Sequence, residues 1–587
     1  MTGPETLLPL VVLAPLGMAA LLATIAHWLP SRMADVLAIL TALGIMLLCG
    51  WLAGQATGGP IVHWFGGWTP DAAHRPGVIL GIAFVADPAS AALAAFCALL
   101  FAASFLFAWG YFDEVHSHFH ILMLLFLAAM EGFCLTHDLF NLFVWFELMS
   151  VAAFALTAYP LGQSSLEGAF SFTVTNSFAS FMMLMGIGLL YAGTGTLDFT
   201  AIGQAMARHG PDPVILGGFC LIAAALLTKA AILPFHFWLS DAHAVAPTPV
   251  SVIFSGVMVG LGLFALTKLG GQSFGAGEGA MAPVRALLLW LGVATAVVGG
   301  LMTWGQRHLK RLLAFSTVSH LGIMLLAVSA LKPLGAAALL LYLVGQGLVK
   351  AALFMVAGIL LALRASADEI ALYREGRGLW PAGVVMILGG LILGGLPIGL
   401  LHGGGHLIHA AVPSRVAEGA IILSTALTGA AVLRAGLRIF PGWSGVPGVE
   451  RGAPTEREHE KADRPLWLMV LPGALLLVLV LAPSSAAFPF LAAAAPRLLD
   501  PWAAGIATLP EEGGTLASGA TFAATLALVA MSLLRRRPTG RLARLAAWGE
   551  RLPFRALEAA HSGVVSDYVT WMTAGLALLA VAAASWR

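Results

Sequence analysis

Sixteen apolar runs, most about twenty residues long, constrain this chain more than any other feature; they lie near 7–29, 33–54, 87–110, 118–136, 139–159, 167–193, 213–239, 249–269, 283–305, 312–331, 335–363, 380–410, 417–439, 466–486, 516–534 and 568–586. A helix needs about 20 such residues to cross a hydrocarbon core. With no water at that depth, only helices and closed barrels satisfy their own backbone. The runs therefore predict an all-α polytopic membrane protein of about sixteen transmembrane helices. Composition agrees: 59% of residues are hydrophobic and 10% charged, against about 25% charged in a soluble average. A net charge of +1 gives no reason to expect a nucleic-acid partner. Cys49, Cys97, Cys134 and Cys220 are scattered through apolar runs without CxxC spacing. They are expected to be inert fillers, and neither metal nor cofactor is expected. The first run lacks a preceding basic stretch and a small-residue cleavage site, so it is expected to be a retained helix and not a signal peptide.

Basic residues orient the spans. Gln306 to Arg311, Arg364 to Arg377 and Arg535 to Arg555 fall on one side, which the positive-inside rule makes the inner side. Residues 55–85 and 488–514 then lie opposite, and both termini are expected on the outer side of a cell (inner) membrane. The inner side also carries the loop 441–464 and the stretch 538–560. In the latter, Leu542, Leu545, Ala546 and Trp548 alternate with arginines, which predicts an amphipathic helix lying on the bilayer or on neighbouring helices. A solvated basic loop is the alternative.

Two runs contain breaks: Leu233-Pro234 followed by FHFWLSDAHAVAPTP, and GGLPIGLLHGGGHLIHAA with Pro397 and Gly403, Gly404 and Gly405. Proline and glycine are poor in helix interiors, so both segments are expected to be discontinuous. Irregular backbone at membrane depth is tolerated where it is protein-buried or lines a cavity, and paired breaks point to a transport path. Their spacing predicts two five-helix repeats, 118–269 and 283–439, between N-terminal helices 1–117 and C-terminal helices 440–587. An odd helix number makes the second repeat inverted. Lys229 lies five residues before the first proline inside an apolar run. A lysine at bilayer depth costs about 2.5–3.5 kcal/mol, so it faces protein or a hydrated cavity and marks an ion route.

DLFNLFVWFELMSVAAFALTAY (138–159), TKAAILPFHFWLSDAHAVAPTPVSVIFSGVMVGLGLFALTK (228–268) and LKRLLAFSTVSHLGIMLLAV (309–328) resemble the antiporter-like subunits shared by Mrp-type cation/proton antiporters, respiratory complex I and membrane-bound hydrogenases. The resemblance spans roughly 87–440 and implies inverted five-helix repeats, each with a broken helix, around a buried axis of ionisable residues. It also implies proton translocation or cation/proton exchange within a multi-subunit complex. Glu147 occupies the family's glutamate position and Lys229 its broken-helix lysine. An anionic Glu147 would lower the cost of a charged Lys229, and its neutralisation would release the lysine's proton. Lys268 matches the next station and Lys350 the lysine of the second repeat, while His236, Asp241 and His243 fall in the family's input region. His320 is expected to bridge Lys268 and Lys350 through water.

Other positions depart from that pattern. The second break offers His402 and His406, with His409 beyond, where the family commonly has lysine or glutamate. Gln346 replaces a usual histidine, and Glu131 is an additional acid in the fourth span. Static ion pairing for Lys229 and Glu147, snorkelling for Lys268, and structural hydrogen bonding for Glu131 and the histidines are the alternatives. The function expected is that of an ion-translocating subunit of an Mrp-like monovalent cation/proton antiporter. Its partners would be other membrane subunits, the lipid bilayer, protons and Na+ or K+. The alternative is a proton-pumping subunit of a complex I-like oxidoreductase or membrane-bound hydrogenase complex.

Overall fold

The computed structural model describes the chain apart from residues 1–2, 26–27, 29, 70–80, 113–116, 210–211, 275–280, 445–465, 506, 511–515, 535–564 and 585–587. It is helical almost throughout. Pro4–Ile25 (α1) and Ser31–Ala56 (α2) lead to a small antiparallel hairpin, Ile61–Trp64 (β1) with Ala83–Ala86 (β2), inside the loop expected at 55–85. Next come Pro88–Tyr111 (α3), Ser117–Leu135 (α4), Leu139–Ala158 (α5), Gln163–Thr194 (α6), the short Phe199–His209 (α7), Pro213–Lys229 (α8), Phe237–Val245 (α9) and Thr248–Phe274 (α10). Ala282–Gly305 (α11), Leu309–Ala330 (α12), Pro333–Arg364 (α13), Trp380–Leu393 (α14), Gly399–Ala411 (α15) and Arg415–Ile439 (α16) follow. Leu466–Val480 (α17), Phe488–Leu499 (α18), Leu516–Leu534 (α19) and Val565–Ala584 (α20) complete the chain. The predicted amphipathic helix at 538–560 and most of the loop 441–464 lie outside the described residues.

Among the described residues twelve helices are long and apolar enough to cross a membrane, or thirteen if the pair α17 and Ser484–Leu499, bent by 79°, counts as one span. Length and composition therefore do not reach the expected sixteen. Part of the difference lies at the breaks, which divide apolar runs into shorter helices. Helix starts follow local chemistry. Asp87, Asp138 and Asp212 each accept a backbone N–H from the first turn of α3, α5 and α8, satisfying donors that have no partner within a helix. His308 does the same for the N–H of Arg311 at the start of α12. Burial holds the His308 imidazole down at about 4, so at neutral pH its Nδ1 is an acceptor.

Helices α10, α12 and α13 are enclosed by others on nearly all sides, whereas α1, α2 and α19 keep most residues on an outer surface. The two halves around this centre share a local bond. Leu139 N–H donates to the Leu197 carbonyl and Leu309 N–H to the Ala367 carbonyl, at 2.9 and 2.8 Å, an offset of 170 residues in both partners (139 to 309, 197 to 367). The bridges between Asp138 and Asp198 and between His308 and Asp368 carry the same offset.

The first break is confirmed in place: α8 ends at Lys229, Ala231 has a positive φ, and α9 begins at Phe237. The second differs from expectation. The chain departs from helix between Gly394 and Ile398, but α15 runs without interruption through Gly403, Gly404 and Gly405. These glycines serve close packing. A Cβ on Gly404 would sit 2.7 Å from the Tyr342 backbone, and one on Gly345 would sit 2.6 Å from the Leu401 nitrogen. Gly404→Ala is therefore expected to cost about 1–3 kcal/mol through overpacking and to lower the thermal midpoint of the detergent-solubilised protein. Gly405→Ala, whose nearest neighbour would be the Tyr342 ring edge at 3.9 Å, should leave it unchanged.

Candidate functional site

Lys229 is completely buried at the C-terminus of α8. The break beside it is held from both sides. Trp238 Nε1 donates to the Thr228 carbonyl at 3.0 Å and stacks on Phe172, and the freed Leu233 N–H donates to Thr295 Oγ1 on α11. These bonds satisfy backbone groups that would otherwise be stranded away from water. Lys229 Nζ donates to Ser150 Oγ at 2.8 Å and lies 4.8 Å from the centre of the Phe146 ring. Glu147, on the same helix as Ser150, accepts from the Ser180 hydroxyl. No direct ion pair joins Lys229 to Glu147 among the described residues. The two groups lie within electrostatic reach of each other, while Ser150, which accepts from Lys229, donates to the Phe146 carbonyl.

Lys268 does not snorkel. It is 2% exposed and donates to Ser90 Oγ and to the Cys134 and Thr136 carbonyls at 3.1–3.2 Å. Ser90 in turn donates to Asp87, so Asp87, Ser90 and Lys268 form one buried chain. Glu131 is fully buried nearby on α4, with Cys49 Sγ 3.7 Å from its Oε2. Cys49, Cys97 and Cys134 come from three helices and converge on this acid, although their sequence positions suggested unrelated fillers.

In the second half Lys350 is fully buried and donates to the Ser316 hydroxyl and the Leu313 carbonyl. His243 reaches it from α9: its ring stacks on Phe354 and lies within electrostatic reach of Lys310 and Lys350. His320 does not bridge two lysines. Its Nδ1 is 2.7 Å from the Tyr342 hydroxyl and its Nε2 is 3.2 Å from Thr428 Oγ1. Because the Thr428 hydroxyl donates to the Ser424 carbonyl, the network assigns a proton to Nε2 and leaves Nδ1 accepting from Tyr342. His320, Tyr342, His402, His406 and His409 line a common cavity of about 60 Å³. Gln346 is buried on the same helix as Tyr342.

His236 occupies the N-cap position of α9, and Asp241, within that helix, lies 3.9 Å from Arg311 and 2.8 Å from the Tyr568 hydroxyl. Sequence reasoning missed Asp87, Ser90, Ser150, Ser180, Ser316, Tyr342 and Tyr568. Asp87 alone had a usable signal: an acid followed by proline at the head of an apolar run, where an N-cap is expected. Outside this axis, Glu369 is bracketed by Arg434 and Arg438 at 3.1 and 2.7 Å, and Asp35 pairs with His120 at 2.8 Å.

A family model described as NADH:quinone oxidoreductase/Mrp antiporter, TM, matches residues 136–432, which include Glu147, Lys229, Lys268, His320, Lys350, His402 and His406. The chain is 32% identical over 305 residues to NADH-quinone oxidoreductase subunit N of Desulforudis audaxviator, a match covering 51% of this chain and 59% of that relative. It is 28% identical over 242 residues to a Na(+)/H(+) antiporter subunit of Bacillus subtilis, covering 41% and 48%. The chain thus spans about half the length of the curated relatives it matches. Among solved structures, a chain of the Mrp complex from Dietzia sp. DQ12-45-1b superposes with a TM-score of 0.73 at 22% identity, covering 85% of this chain and 98% of that one. A chain of respiratory complex I from Thermus thermophilus gives 0.61 at 23%, covering 83% and 99%. These likenesses establish a common fold.

Proposed function

The chain belongs to the NADH:quinone oxidoreductase/Mrp antiporter membrane family, and from that membership we propose that it is the ion-translocating subunit of an Mrp-like monovalent cation/proton antiporter complex. The observation that carries the reading is the run of buried and half-buried ionisable and hydroxyl side chains through both halves. In the first half Glu147 accepts from Ser180 and lies within electrostatic reach of Lys229, which donates to Ser150; in the second, His243, Lys350 and Ser316 lead to His320, Tyr342 and the three-histidine cavity. Lys229 and Glu147 act as one unit: when Glu147 is anionic Lys229 keeps its proton, and when Glu147 is protonated Lys229 gives it up. Lys268, with Asp87 and Ser90, is the following station, and Glu131 a side branch beside it. His402 and His406 release protons at the outer end of the second half.

The two halves are inverted five-helix repeats, 118–269 and 283–439, and the repeated bond offset of 170 residues supports that division. The chain crosses the membrane sixteen times with both termini outside, counting each broken helix as one crossing. Contacts between distant loops support this sidedness. Lys310 donates to the Ala246 carbonyl and Arg438 to the Ser532 carbonyl at one end of the bundle, and Gln272 donates to the Leu498 carbonyl at the other. Other membrane subunits complete the complex.

A second reading is favoured by the relatives that are redox-complex subunits and by the helix α20 beyond the family-matched segment. It makes the chain a proton-pumping subunit of a complex I-like or hydrogenase-type oxidoreductase. One assay separates the two. In everted vesicles holding the complex, Na+ or K+ is expected to collapse a preset pH gradient. Cation-independent acidification driven by a reductant, with no cation-dependent collapse, would replace the first reading by the second.

A further inference from the structure

We propose that Tyr568, near the start of the C-terminal helix α20, positions Asp241 at the inner mouth of the first broken helix, so that proton uptake depends on a helix outside the family-matched segment. The inference deepens the relay reading above and rests on it. Helix α20 packs on α8, α11 and α6, far in sequence from all three. It grips the break itself. Gly575 lies so close to Pro234 and Phe235 that a Cβ there would come within 2.5 Å of the Phe235 ring. One and a half to two turns away, the Tyr568 ring stacks on Phe237 with centres 5.1 Å apart, and its hydroxyl donates to Asp241 Oδ2 at 2.8 Å across 327 residues of sequence.

The choice of donor matters. The Asp241 side chain is 18% exposed, while Arg311, 3.9 Å from the other carboxylate oxygen, is 48% exposed. Water screens that pair, so its contribution is small. The tyrosine bond is shorter, more buried, and fixes the carboxylate's orientation without cancelling its charge. An acid held in this way can still accept and pass on a proton. The other charged or titratable groups around Asp241 are distributed over its neighbours. Lys310 and Arg311 lie on α12, and Lys310 donates to the Ala246 carbonyl. His236 and His243 flank it on its own segment, and the exposed Glu167 and Asp567 belong to α6 and α20.

The test uses the assembled complex in everted vesicles, with the initial rate of proton translocation measured per complex across a pH series. Tyr568→Phe keeps the ring stacked on Phe237 and removes only the hydroxyl. It is expected to lower the rate roughly 2- to 10-fold, the range of one hydrogen bond, and to displace the pH midpoint. In an Asp241→Asn background the same substitution should have no further effect, because Tyr568 acts through that carboxylate. A purely structural role for α20 would reduce assembly and leave the pH midpoint of the assembled fraction in place. A wild-type rate and midpoint in Tyr568→Phe, while Lys229→Ala is inactive, would overturn this inference and leave the relay standing. An active Lys229→Ala would remove the relay and the inference together.

Discussion

Lys229→Ala is expected to lower proton translocation by the assembled complex by about two orders of magnitude or more, the scale of losing a positioned proton-transfer group. The lysine stands at the end of α8 where the first break begins, and the hydroxyl of Ser150 beside it cannot replace an ammonium. Glu147→Gln should be comparably impaired, because without the nearby anion Lys229 no longer exchanges its proton between two stable states. The double substitution should be no worse than the poorer single one, since coupled groups are not additive. Proton uptake by vesicles normalised to complex content checks all three. A fully assembled Lys229→Ala variant with near-normal uptake would eliminate the proposed relay.

His320→Leu carries the second large effect, a loss of tenfold or more in translocation. The side chain touches Tyr342 and Thr428 at once and lines the cavity shared with His402, His406 and His409. Leucine leaves the buried Tyr342 hydroxyl without its His320 partner and removes an imidazole that lines that cavity within electrostatic reach of Lys350. The cavity's own contribution is separable by pH. Replacing His402 and His406 together by leucine removes two of the groups able to carry a proton in that cavity and should lower the rate and change the shape of its pH profile. A profile of unchanged shape and height would show that protons leave by another route.

Much of the architecture was readable from residue order. The apolar runs located helices along the whole chain, Pro234 located the first break, and Lys229, Lys268 and Lys350 stood out because lysine is rare in such surroundings. The glycine triplet misled, since glycine permits either a bend or a close approach, and only the neighbouring Tyr342 backbone shows which is used. Lys268 left two possibilities open for a similar reason. Its position near a helix end fits snorkelling, and the carbonyls of Cys134 and Thr136 that hold it inside come from more than 130 residues away.

The division has a physical cause. Crossing a bilayer depends on apolar content summed over about twenty consecutive residues, so the sequence by itself determined the membrane class, the approximate spans, the first break and the unusual lysines within apolar runs. What each charge bonds to depends on which helices pack side by side, and packing brings together residues with no sequence relation. Only the tertiary structure decided that Lys229 donates to Ser150 while Glu147 accepts from Ser180, that Asp87 reaches Lys268 through Ser90, that His320, His402, His406 and His409 share one cavity, and that Tyr568 donates to Asp241. Serines and tyrosines are common enough that none of these partners announces itself. Each becomes significant through a distance of about 3 Å, which no one-dimensional pattern encodes.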